Sequence, residues 1–226
     1  MQSLSILLGI ILFSQAAYAF SNNHKNQGLI IQSQRQKYIF EETKAPLDTL
    51  TEAYLKNDIN QIIRDINSTN AVPQWTKIDS INLEQSTEGG YAKYYYLKNE
   101  LKKITACHYG ETGQSISEYY LKNGKLIFLI EQSAYYNRPI YYDTLAMQEN
   151  DDDESLNPEH SEITLSKSFF KNNQLIHQLN SDDCGAPFST EYLMKEQVRI
   201  ENKLKSLKTL APKQSSQPDR PEKGRK

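Results

Sequence analysis

The side chains with most chemical potential are few and scattered. Cys107 and His108 are adjacent, which raises the idea of a thiol activated by an imidazole. Consecutive strand residues point to opposite faces of a sheet, so this pair cannot act together if the segment is extended. His177 lies between Leu175 and Leu179 in an alternating run and reads as a core histidine with a satisfied hydrogen bond. Asp151, Asp152, Asp153 and Glu154 could offer oxygens to a hard cation. They lack the alternating ligands and central glycine of a Ca²⁺ loop, so they read as a solvated acidic loop. Glu111, Glu118 and Glu131 could form a carboxylate pair of the kind used in glycoside hydrolysis, but nothing in the sequence fixes their separation. No residue is assigned a catalytic role, and no cofactor or metal is expected.

The chain has two cysteines, Cys107 and Cys184. They are too far apart for the close-paired spacing of a zinc site. In an oxidising compartment they predict a disulfide, worth about 4 kcal/mol in the chain-entropy model. The other reading is two buried thiols behaving as small hydrophobes. An oxidising compartment fits the start of the chain. Leu4 to Phe13 is an apolar run too short to span a bilayer, and Ala17-Tyr18-Ala19 has the small-x-small pattern of a signal cleavage site. Residues 1–19 therefore read as a signal peptide, and the protein as secreted or periplasmic with no transmembrane segment after cleavage. With 26 basic and 28 acidic residues there is no net positive field to hold nucleic acid.

Tyrosine is the exception to this sparse picture, with 15 in 226 residues. Strand alternation must send some of them outward, where aromatic rings are favoured contacts. Tyr94, Tyr96, Tyr119, Tyr135 and Tyr141 are the candidates for a binding face.

The elements that must position these residues are mostly strands. After a polar segment over residues 20–45, Pro46 precedes an amphipathic helix. Thr49 and Glu52 have capping-box spacing, and Leu55, Ile59, Ile62, Ile63 and Ile66 share one face. Strands are predicted over 75–83, 91–97, 101–109, 114–121 and 125–131, and again from Glu162. Gly110 and Gly113 supply a hairpin with glycines available for positive φ, and Asn123-Gly124 is a strong hairpin signal. Leu126 to Ile130 is apolar on both faces and belongs inside a sheet covered on both sides. On the last hairpin Leu175, His177 and Leu179 are expected on one face. Ser189 is placed to cap a final helix carrying Leu193, Ile200, Leu204 and Leu207. Residues 211–226 hold five basic side chains, three prolines and no aromatic, and are expected to be a disordered basic tail.

Three stretches repeat one pattern: Tyr95-Tyr96-Leu97-Lys98-Asn99, Tyr119-Tyr120-Leu121-Lys122-Asn123-Gly124 and Phe169-Phe170-Lys171-Asn172-Asn173. From Tyr91 to Glu131 the chain resembles the MORN-type strand repeats of bacterial YwqK-like proteins. Glu100 and Asn173 stand where that pattern has a turn glycine. The resemblance implies an antiparallel strand array with an interaction role and no catalytic residues.

The expected fold is α+β: a twisted antiparallel β-meander packed by an N-terminal amphipathic helix, with a C-terminal helix, in one domain over residues 46–210. The expected function is a non-catalytic binding module with a protein or envelope-component partner. An envelope hydrolase and an inhibitor or immunity-like protein are the alternatives. A binding module should show an exposed aromatic sheet face or a groove between helix and sheet.

Overall fold

The computed structural model describes residues 53–84, 88–182 and 188–212. The expected signal peptide, polar segment, capping box and, from residue 213 on, basic tail lie outside them.

The core is a seven-stranded antiparallel sheet in which every strand pairs with its sequence neighbours. The strands are β1 (Lys77–Asn82), β2 (Gly90–Leu97), β3 (Glu100–Gly110), β4 (Gly113–Lys122), β5 (Lys125–Tyr135), β6 (Glu162–Lys171) and β7 (Gln174–Asn180). Helix α1 (Ala53–Asn70) precedes the sheet. A short α2 (Thr144–Glu149) and a 3-10 turn at Pro158–His160 interrupt the β5–β6 connection, and α3 (Thr190–Leu210) closes the fold. The fold is α+β, and the meander and both long helices match the sequence reading.

The three repeats are three equivalent hairpins. Each turns on two residues with positive φ: Lys98-Asn99, Asn123-Gly124 and Asn172-Asn173. That is the type I′ geometry whose twist suits paired strands, and asparagine tolerates it better than most residues. Asn99, Gly124 and Asn173 are therefore equivalent, and Glu100 is the first residue of a strand and not a substitute for a turn glycine. Each hairpin also slips register at the same place, between Tyr95 and Tyr96, Tyr120 and Leu121, and Phe169 and Phe170. The bulges leave Lys102, Ile127 and Ile176 as extra residues on the return strands.

The bulge in the last hairpin corrects one expectation. Leu175 pairs with Phe170, while His177 pairs with Phe169. The inserted Ile176 puts Leu175 on the opposite face from His177, so the three residues do not share a side.

The sheet has two distinct faces. Over one lies α1, with Ile59, Ile62 and Ile66 buried. It sits beside a cross-strand aromatic row in which Tyr120, Phe128, Phe169 and His177 have ring centroids 5.0–6.0 Å apart. Lys122 reaches Asp65 and Lys171 reaches Asp58, tying α1 to two hairpin ends. Over the other face lies α3. Its Ile200, Leu204 and Leu207 pack with Tyr94, Ile104, Tyr119, Leu129 and Phe170. The Ser189 hydroxyl accepts from the Tyr192 amide and caps α3 as expected. Strand β5 is covered on both sides, which explains its unbroken apolar run.

The Gly110 and Gly113 hairpin uses its glycines differently from expectation. Neither takes positive φ. Gly113 is needed for space, since a Cβ there would lie 2.4 Å from the Ala134 carbonyl oxygen.

The acidic stretch is not freely solvated. Arg138 grips Asp152 through two bonds of 2.8 and 3.0 Å, and the Tyr142 hydroxyl donates to the same carboxylate. Asn137 and His160 engage Glu154. These contacts staple the long β5–β6 connection. The Arg138 hydrogen bond holds the Asp152 carboxyl far below its ordinary range.

Candidate functional site

Helix α3 packs on one part of its sheet face and leaves a groove beside another. It runs from β7, where the Gln197 side chain accepts from the Leu175 amide, to β2, where the Tyr94 hydroxyl donates to the Leu207 carbonyl at 2.8 Å. Its buried apolar residues Ile200, Leu204 and Leu207 belong to the core cluster around Tyr94, Ile104, Tyr119 and Leu129. Its other flank carries Glu196, Arg199 and Lys203 at helical spacing, facing the groove.

Between that flank and the strands runs a groove of about 530 Å³. Its floor is built by alternation. The residues of β5, β6 and β7 that share a face there are Ser133, Thr164, Ser166, Gln178 and Asn180. The apolar neighbours Ile163 of β6 and Leu179 of β7 alternate to the other face. A floor of short hydroxyls and carboxamides leaves the space that larger side chains would fill.

The charged wall is internally paired. Arg199 binds both oxygens of Glu131 and, at 2.9–3.1 Å, the carboxylate of Glu196. Lys203 adds a contact to Glu131 at 3.3 Å. Burial pushes the Glu131 carboxyl up, but the Arg199 hydrogen bonds and charge, with Lys203 behind them, outweigh it and hold the group below its ordinary value. Glu131 is thus fixed as a carboxylate, with no proton to give. The same pairing, led by the Glu131 bond, raises Arg199. His108 lies on this face, and burial followed by the Lys203 charge lowers its pKa, so it is neutral at pH 7.

Two buried groups on the floor are incompletely satisfied among the described residues. Gln178 is only 3 % exposed. Its amide nitrogen lies 3.2 Å from both the Ser166 and Ser168 hydroxyls, while its Oε1 has no partner. Asn180 Oδ1 is also buried without a partner. At the mouth, the Phe188 and Tyr192 rings stack with centroids 4.8 Å apart and planes 18° from parallel.

The sequence-derived candidates divide differently. Tyr94, Tyr96 and Tyr119 are 0, 6 and 1 % exposed and form the floor beneath α3. They present no surface to a ligand, because the face that carries them is the one the C-terminal helix covers. Tyr135 and Tyr141 are exposed, at 56 and 63 %, and lie apart from the groove lining. Glu118 pairs with Ile130 and Glu131 with Ser117, so the two carboxylates point to opposite faces. Cys107 and His108 likewise diverge. Cys107 is buried, and its expected partner Cys184 lies outside the described residues. Among the described residues no group of three or more acidic, histidine or cysteine side chains could hold a metal ion. No helix among them is long and apolar enough to cross a membrane.

The groove residues Gln178, Asn180, Phe188, Tyr192 and Arg199 were not visible as a set in the sequence. The one local signal is the alternation of Thr164, Ser166 and Ser168 along β6. It shows a polar side but not that a helix flank faces it. Comparison with family models, curated proteins and solved structures finds no match.

Proposed function

We propose that the chain is a secreted or periplasmic binding module, without catalysis, that takes its ligand in the groove between α3 and the sheet. The observation that carries this reading is the division of labour in the groove. Its two cations, Arg199 and Lys203, are spent on Glu131 and Glu196, and the hydroxyls of Ser133, Thr164 and Ser166 line the floor. A hydrolase would need an acid able to release a proton near its working pH. Glu131, the most enclosed carboxylate of the wall, is tuned in the opposite direction. The compartment follows from the leader pattern at residues 1–19. The three equivalent I′ hairpins support kinship with MORN-type strand arrays, whose role is interaction.

The test is hydrogen exchange of the full mature chain with and without a soluble envelope extract. Bound material should protect β7 and the first turns of α3. Ser133→Trp, which fills the floor between small neighbours, should abolish that protection. Protection confined to other surfaces, or protection unchanged in the filled variant, overturns the reading.

The inhibitor-like alternative has one observation in its favour. Met194 and Val198, one turn apart on the outer side of α3, are 65 and 57 % exposed. Protection along that outer face, with the groove unaffected, would favour it.

A further inference from the structure

Three features of the groove restrict the chemistry of what it holds. First, it offers little to an anion, since its lining sets the carboxylates of Glu131, Asp182 and Glu196 against the cations of Arg199 and Lys203. Arg199 and Lys203 are already engaged by Glu131 and Glu196, so among the described residues of the wall no unpaired cation remains to recognise a phosphate or carboxylate. Secondly, the floor is lined by hydroxyls. Ser133, Thr164 and Ser166 can both donate to and accept from the hydroxyl groups of a ligand. Thirdly, the mouth offers a flat aromatic surface. The stacked Phe188 and Tyr192 pair is anchored by the Ser189 cap of α3, with Tyr192 37 % exposed.

A molecule with many hydroxyls, no charge and an apolar C–H face satisfies all three conditions, and that description is a sugar. The groove volume lies within the roughly 300–1,000 Å³ of small-molecule sites. We propose that the groove binds a short uncharged oligosaccharide, with one ring against Tyr192 and its hydroxyls directed to Ser133, Thr164 and Ser166. The inference rests on the groove-binding reading above and names its ligand class. The Arg199 bridge then has a positioning role. It fixes the wall at a constant width from the floor and leaves recognition to neutral groups.

The experiment is two-dimensional amide NMR of the full mature chain titrated with maltotetraose, cellotetraose and chitotetraose, and separately with an uncharged peptide capped at both ends. At least one tetrasaccharide should shift the side-chain amides of Gln178 and Asn180 and the backbone of Thr190 to Tyr192. Tyr192→Ala, at a partly exposed position, should weaken that binding roughly tenfold, as loss of one ring contact implies. Thr164→Val, near-isosteric, removes one floor hydroxyl and should weaken it as well. If the capped peptide shifts the groove and no sugar does, the carbohydrate inference falls and the groove reading stands. The carbohydrate inference falls alone, too, if envelope extract protects the groove while no tetrasaccharide binds. Sugar shifts confined to other surfaces also overturn the inference. If neither sugar, peptide nor extract perturbs the groove, both readings fall together.

Discussion

Removing one oxygen from Tyr94 tests how α3 is held. The side chain is fully buried, and its hydroxyl donates to the carbonyl of Leu207 in the last turn of the helix. Carbonyls in a last turn have lost their ordinary i+4 donors. Here the Ala211 amide turns to Lys208 instead. Tyr94→Phe keeps the ring and its packing but leaves that buried carbonyl unsatisfied, which costs about 1–3 kcal/mol. For a unit of this size each kcal/mol moves the melting temperature by about 2–4 °C, so a central loss of about 2 kcal/mol predicts a fall of about 4–8 °C. Thermal denaturation followed by circular dichroism measures it, with Tyr135→Phe as the exposed control, expected within about 0.5 kcal/mol of the parent. Burial, with the neighbouring Tyr96 behind it, pushes the Tyr94 phenol up to about 12. Its proton is therefore kept, and the difference should persist to about pH 10. Identical melting of the two variants would show that the hydroxyl does not anchor the helix, and the reasoning about its end would be refuted.

Two further outcomes follow from the same structure. The folded pKa of Glu131 is depressed, so its pairing with Arg199 stabilises above the ordinary glutamate range and the contribution is lost as pH falls through the lower folded value. Denaturant midpoints compared at about pH 7 and about pH 3 should therefore fall less in Glu131→Gln than in the parent, and an equal fall would remove the pair from the acid response. Gly113→Ala should destabilise by about 1–3 kcal/mol, because its Cβ meets a backbone oxygen in an interior hairpin. Gly124→Asn should be tolerated within about 1 kcal/mol, since its turn is open and the sister hairpins carry asparagine there. Equal losses in urea titrations would contradict the division between a spatial and a conformational glycine.

The parts of the molecule governed by local rules were readable from the chain. The isoleucine stripe of α1, the Ser189 cap and the Asn-containing turns are all set by residues a few positions apart. Two kinds of feature were not. The shared bulge beside each turn shifts the pleat by one residue, so period-two counting through Leu175, His177 and Leu179 assigned a wrong face. Burial of Tyr94, Tyr96 and Tyr119 depends on where a helix a hundred residues later comes to rest. The candidate groove has the same origin. Thr164 and Ser166 look like ordinary outward residues until the Arg199 flank stands opposite them, and no spacing rule along the chain contains that distance.

The strictly sequential strand order has a consequence for how the chain acquires its shape. Every strand finds its neighbour across a short connection or, between β5 and β6, across a loop closed by its own ion pairs. Such local pairing forms early and without long searches. Helix α3 is the last described element to leave a ribosome or a translocon, so the sheet is complete while one of its faces is still bare. During that interval Ile104, Tyr119, Leu129 and Phe170 meet water as one sticky plane, and intermediates of this kind associate with one another. Docking of the helix ends the exposure and creates the groove in the same event. Covering of that face and formation of the groove are therefore one event in folding.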